Sequence, residues 1–109
     1  MVEVLHYVTE TGVDVFADWL ANVKDKRAAA RIVIRIDRLS QGNFGDVKSL
    51  GSGISELRID VGPGYRVYFG TIHRQCVLLL CGGDKRQQSA DIRRATNYWN
   101  DYLQRIGAP

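Results

Sequence analysis

The stretch ISELRIDVGPGYRVYFGTIHRQCVLLLC, running from Ile54 to Cys81, decides the fold. Leu57, Ile59 and Val61 alternate with Glu56, Arg58 and Asp60, which is the period of a half-buried strand over Ile54 to Val61. Gly62-Pro63-Gly64 supplies a tight turn, and Tyr65 to Thr71 reads as the hairpin partner. Ile72-His73-Arg74-Gln75 then turns the chain into a continuous apolar run, Cys76 to Cys81. Such a run suits a central strand covered on both faces, because a half-exposed strand alternates. Three antiparallel strands in succession form a meander.

Working outward, Val2 to Val8 reads as a further strand, followed by the polar break Thr9-Glu10-Thr11-Gly12. Val13, Phe16, Trp19, Leu20 and Val23 then recur at helical spacing, predicting a first helix over Val13 to Val23. Asp25 is placed to N-cap a second helix that ends at Gly42, with Ala29, Ile32, Val33, Ile36 and Leu39 on its apolar face. Gly42-Asn43-Phe44-Gly45 and a short segment around Val47-Lys48-Ser49-Leu50 lead into the hairpin. Beyond a polar loop, Gly82 to Gln88, the residues Ile92, Ala95, Trp99, Tyr102, Leu103 and Ile106 mark a closing amphipathic helix. The fold class is α+β: a small antiparallel sheet with an N-terminal helical hairpin and a C-terminal helix, in the order β-α-α-β-β-β-α.

A chain of 109 residues, 45% hydrophobic, suits one domain over 1–109 with one modest core. No apolar run approaches the ~20 residues needed to span a bilayer, and Met1-Val2-Glu3-Val4 lacks the layout of a signal peptide. A cytoplasmic location is expected. Cys76 and Cys81 sit at an odd spacing that points them to opposite faces of a strand, so no disulfide is expected between them. His6 and His73 stand far apart and no ligand spacing accompanies them, so neither a zinc site nor any other metal or cofactor is predicted. The net charge of +3 permits a polyanionic partner without requiring one.

Where the charge sits is more informative. Arg58, Arg66 and Tyr68 alternate away from the apolar positions of the hairpin and are expected on one face of the sheet. Lys48 precedes that hairpin, and Lys85 and Arg86 follow the apolar strand, so the fold is able to gather cations from three segments. Such a cluster fits a phosphodiester, since arginine offers a planar fork and lysine a compact charge. Cleaving RNA without a metal requires activating the 2′-OH, stabilising the charge on the pentacoordinate phosphate and protonating the departing 5′-oxygen. Arg58 and Arg66 suit the second need; Lys48, Lys85 and Tyr68 are candidates for the proton transfers. Arg27, Arg31, Arg35 and Arg38 form a separate stripe on the second helix, which reads either as a solvated face or as a surface for phosphate or an acidic protein. Trp19 and Trp99 fall on apolar stripes and read as core anchors.

Phe16 with Trp19-Leu20, the Arg31-to-Leu39 helix, Gly42-Asn43-Phe44-Gly45-Asp46, Glu56-Leu57-Arg58-Ile59, Gly62 to Tyr68 and Gly82-Gly83-Asp84-Lys85 together resemble the RelE/ParE toxin superfamily, specifically its phage-derived Gp49-like, HigB-type addiction-module killer proteins. The resemblance spans nearly the whole chain. It implies a RelE-like fold and the toxin of a type II toxin–antitoxin system, a metal-independent endoribonuclease cutting messenger RNA on the ribosome. It also implies a cognate antitoxin, commonly a helix-turn-helix protein. Carried over, the family's basic residue ahead of the hairpin falls on Lys48, its hairpin arginines on Arg58 and Arg66, and its last basic position on Lys85 or Arg86. Arg86, Arg31 and Arg35 are candidates for binding RNA. Where many such nucleases place a tyrosine or histidine as proton donor, this chain reads Asp84-Lys85-Arg86-Gln87-Gln88. The alternatives are ParE-like inhibition of DNA gyrase on the same scaffold, or a non-catalytic RNA- or protein-binding domain. No spare apolar stripe demands self-association, so the free toxin is expected to be monomeric.

Overall fold

The computed structural model describes residues 1–108. It is built from β1 (Glu3–His6), α1 (Val15–Ala21), α2 (Lys26–Ser40), β2 (Val47–Gly51), β3 (Ile54–Ile59), β4 (Tyr65–His73), β5 (Cys76–Asp84), a short 3₁₀ turn (Lys85–Gln87) and α3 (Gln88–Arg105). The five strands make one sheet in the order β1-β5-β4-β3-β2. Neighbouring pairs among β2 to β5 are antiparallel, whereas β1 runs parallel to β5. The α+β class and the meander stand; the expected four-stranded antiparallel sheet is corrected to five strands and a mixed sheet. The additional strand is β2, which pairs Lys48 with Glu56 at the sheet edge.

Capping sets the helical hairpin. Asp14 accepts the Ala17 N–H at 3.0 Å, and Asp25 accepts those of Arg27 and Ala28, so each helix starts on an aspartate that satisfies otherwise orphaned donors. On α2 the buried residues are Ala28, Ile32 and Leu39. Val33 is 51% exposed, so the inward face is turned slightly from the one expected.

Helices cover both faces of the sheet. On one, α1 and α2 pack Phe16, Ile32 and Leu39 against Leu57, Ile59, Val67, Phe69, Val77 and Leu79. On the other, α3 packs Ala95 and Trp99 against Ile54, Tyr68, Leu78, Leu80 and Cys81. This is why β5 shows no alternation: every residue from Cys76 to Gly83 is buried. The register shifts where Tyr68 faces Cys81 and Phe69 faces Leu79, leaving Leu80 as a bulge. Leu80 and Cys81 therefore share the α3 side, which breaks the simple alternation assumed for the two cysteines. Both remain free thiols.

Two strand glycines let the tryptophans approach. Trp19 lies over Gly82 and Trp99 over Gly70, each so close that a methyl group on the glycine would collide with the ring. β5 also extends through Gly82-Gly83-Asp84, and α3 begins at Gln88, so the expected polar loop is replaced by strand and a single tight turn.

The α3-side core carries an alkaline liability. Burial pushes the Cys81 thiol up to about 12, and burial with the hydrogen bond to Asp101 pushes the Tyr7 hydroxyl up to about 12. Folding thus favours the protonated, neutral form of both. Their contribution is full below the ordinary values of 9.0 and 10.0 and is lost as pH rises through the folded values. Thermal melts are expected to hold level from about pH 7 to 9 and to fall progressively above it; a Tm unchanged at about pH 11 contradicts this.

Candidate cationic site

The register of the hairpin assembles the site. Arg58 stands opposite Arg66, Glu56 opposite Tyr68, and Lys48 opposite Glu56 across the other edge of β3. Directly opposed residues project from the same face, so Lys48, Glu56, Arg58, Arg66 and Tyr68 lie on the face that α3 covers in part. The α3 helix starts only at Gln88, which leaves one corner of that face open.

Glu56 is the centre of this corner and is wholly buried. Its Oε1 accepts from Gln88 Nε2 at 2.5 Å, and its Oε2 accepts from Arg58 Nε at 3.3 Å. Arg66 Nε lies 3.5 Å from Oε1, an ion-pair distance that does not close into a hydrogen bond. Arg66 Nη1 donates to the Tyr65 carbonyl at 3.1 Å, and Arg58 Nη1 stands 4.0 Å from the exposed Asp46 carboxylate. Burying a charge this fully is costly unless it is paired and hydrogen-bonded, and here two guanidinium groups and an amide do so.

Lys85 joins the corner through the hairpin turn. Its N–H donates to the Gly64 carbonyl at 2.7 Å. A methyl group on Gly64 would stand 3.6 Å from both Arg66 Nη1 and Lys85 Cβ, so the two side chains flank one point of the backbone. Lys48 and Lys85 are both exposed, and no carboxylate among the described residues lies within ion-pair distance of either.

The other candidates are placed differently. Tyr68 is wholly buried under α3, its hydroxyl has no hydrogen-bond partner among the described residues, and burial together with the Glu56 charge raises its pKa. It projects from the expected face but does not reach solvent. Arg86 is exposed and forms a two-point pair with Asp84, at 2.8 and 3.3 Å, which holds the Asp84 carboxyl below its usual range. Arg31 and Arg35 belong to α2, on the opposite side of the sheet, and do not join Arg58 and Arg66. With Ile34, Arg38, Ile59 and Asp60 they line a separate cleft of about 320 Å³.

Within that cleft Arg35 turns inward. It donates to the carbonyls of Arg58 at 2.5 Å, Phe44 at 3.2 Å and Asp46 at 3.4 Å, tying α2 to the approach to β2 and to the end of β3. Burial lowers its pKa. Replacing Arg35 with alanine is expected to cost about 2 kcal/mol in urea denaturation, since carbonyls lose a charged donor. Replacing Arg31, which no ion pair or side-chain hydrogen bond engages among the described residues, is expected to cost less than about 0.5 kcal/mol.

Glu56 and Gln88 stand at the centre of this corner, yet neither is among the candidate site residues picked from the sequence. Alternation places Glu56 beside Arg58, but only the approach of α3 makes it a buried partner. Gly83 carried the signal: opposite Arg66 in the sheet, it has no side chain, and the buried Asp91 carboxylate of α3 occupies the space where one would stand.

No protein-family model matches the chain. It is 55% identical over 80 residues to an uncharacterized protein of Haemophilus influenzae, an alignment that covers 73% of this chain and 81% of that protein.

Proposed function

We propose that this chain, which belongs to one family with that Haemophilus influenzae protein, is a RelE-like, HigB-type toxin that cleaves messenger RNA without a metal. The observation that carries the reading is the open corner: Arg58 and Arg66, opposed across the hairpin and held by Glu56, with Lys48 and Lys85 beside them. In the reaction the ribose 2′-oxygen attacks phosphorus, its proton passes to a base, and the P–O5′ bond breaks as an acid protonates the 5′-oxygen. The products are a 2′,3′-cyclic phosphate and a 5′-hydroxyl. Arg58 and Arg66 are assigned to the charge that grows on the non-bridging oxygens, and Lys48 and Lys85 to the two proton transfers. Tyr68, sealed beneath α3 with its hydroxyl unpartnered among the described residues, is assigned no proton transfer.

One observation favours a second reading. Among the described residues no imidazole or exposed phenol reaches this corner: His6 pairs with Asp14 at β1, and His73 closes the far end of β4. A scaffold with binding cations and few proton carriers also suits a ParE-like inhibitor of DNA gyrase. The partner under either reading is a co-encoded antitoxin that covers or distorts the cationic corner and also grips the Arg27-to-Arg38 stripe with acidic side chains, and the free toxin is a monomer.

The test is 5′-end mapping of cellular mRNA after expression without the antitoxin, beside folded Arg66→Ala and Lys48→Ala variants. New in-frame ends that vanish in both variants support the nuclease. Growth arrest with intact mRNA and altered DNA supercoiling moves the protein to the gyrase reading.

A further inference from the structure

We infer that Glu56 is the positioning residue of the cationic corner: its buried carboxylate hydrogen-bonds the Nε edge of Arg58 and ion-pairs with that of Arg66, so that each guanidinium group presents its Nη2 to one phosphodiester. The inference rests on the nucleic-acid reading above and deepens it by giving the buried carboxylate a role in binding. Glu56 is wholly buried and cannot touch a ligand itself. It accepts a hydrogen bond from Arg58 Nε at 3.3 Å, and Arg66 Nε lies 3.5 Å from it as an ion pair without a hydrogen bond. The Nη2 of each arginine has no hydrogen-bond partner among the described residues. A guanidinium held along its Nε edge has fewer orientations to lose when it binds an anion, and that lost freedom is a principal cost of binding.

Gln88 completes the arrangement. Its amide donates to Glu56 Oε1 at 2.5 Å from the first residue of α3, so the docked helix fixes the carboxylate that in turn fixes the arginines. The sheet brings the two arginines together and the helix sets their aim.

The sign of a substitution separates this role from a purely electrostatic one. Glu56→Gln removes a negative charge from a basic patch, and charge alone predicts tighter RNA binding with a steeper salt dependence. Positioning predicts weaker binding despite the added positive charge. The probe is a 2′-O-methyl RNA oligonucleotide, which binds without being cleaved, titrated by fluorescence anisotropy at several salt concentrations. Folding is checked by circular dichroism, and the arginine Nε–H resonances are followed by NMR.

The expected result is a folded Glu56→Gln variant that binds about tenfold more weakly, with the Arg58 Nε–H signal losing its protection from solvent exchange. Equal or tighter binding by a folded variant overturns the inference. If Glu56→Gln does not fold, Glu56→Asp, which draws the carboxylate back by one methylene, is expected to show the same loss, and unchanged affinity there overturns it equally. A wild-type protein that binds no RNA defeats the nucleic-acid reading alone. Positioning is then read from an inorganic phosphate titration of the Nε–H resonances, where equal affinity in wild type and variant overturns it.

Discussion

Replacing Gly70 with alanine is expected to cost about 3 kcal/mol of folding stability, a large loss for a single added methyl group. A Cβ at this position would stand 2.8 Å from Trp99 Cδ2 and closer still to Cε3 and Cζ3. The ring has nowhere to retreat. Trp99 is 5% exposed, its Nε1 donates to the Ser52 carbonyl at 3.0 Å, and it stacks on Tyr102 with centroids 5.8 Å apart. Accommodating the methyl group means breaking that hydrogen bond and lifting α3. Overpacking costs roughly 1 to 3 kcal/mol and the hydrogen bond about 1 more. Gly12→Ala is the control: no atom lies within 4 Å, and only its φ of +88° is strained, at about 1 kcal/mol. Urea denaturation followed by far-ultraviolet circular dichroism measures both. Equal losses at the two positions would show that steric contact with Trp99 is not what holds α3 down.

The same glycines mark what could be read from the chain and what could not. The caps at Asp14 and Asp25 act on their own helices, so the helical hairpin is written locally. The Gly62-Pro63-Gly64 turn and the alternation from Leu57 to Val61 act over a few residues and set which face each hairpin residue takes. Yet β3 ends at Ile59, opposite Tyr65, two residues short of the expected Val61, so the connection spans residues 60–64. β2 has weaker local signals, VKSLG between glycines, and becomes a strand because β3 offers it a free edge. The parallel pairing of β1 with β5 joins Glu3 to Cys76, a contact that no short-range pattern encodes.

The site divides in the same way. That Arg58, Arg66 and Tyr68 share a face is a matter of period, and the register agrees. Which of them reaches solvent depends on where α3 lands, and this is invisible to alternation. Tyr68 and Glu56 fall under the helix; the two arginines stand at its end. Arginine spacing on α2 is similarly regular, yet among the described residues only Arg35 of that stripe meets backbone carbonyls, because the loop carrying Phe44 and Asp46 folds against it. Regular spacing predicts a stripe, and tertiary contacts decide which members of the stripe are spoken for.

On the ribonuclease reading, Arg66→Ala is expected to lower mRNA cleavage by about 10²- to 10³-fold, the loss typical of removing one donor from a charge-stabilising site. Arg66 is the cation most committed to the corner, with a side chain 13% exposed against 34% for Arg58. Its removal leaves Glu56 paired with Arg58 and Gln88, so a folded protein is expected, destabilised by about 1 to 3 kcal/mol. Arg66→Lys is not expected to restore activity: a lysine keeps the charge but cannot face Glu56 and a phosphate oxygen at once, as a planar fork does. Arg86→Ala is the contrasting case. Asp84 already balances that charge and the side chain is 77% exposed, so cleavage is expected to change by less than about threefold. The measurement is cleavage of a ribosome-bound message per folded molecule, with the folded fraction taken from thermal melts. Full activity in Arg66→Lys would reduce the site to undirected positive charge. A loss in Arg86→Ala as large as in Arg66→Ala would move the reacting phosphate away from the Glu56 corner and toward the start of α3.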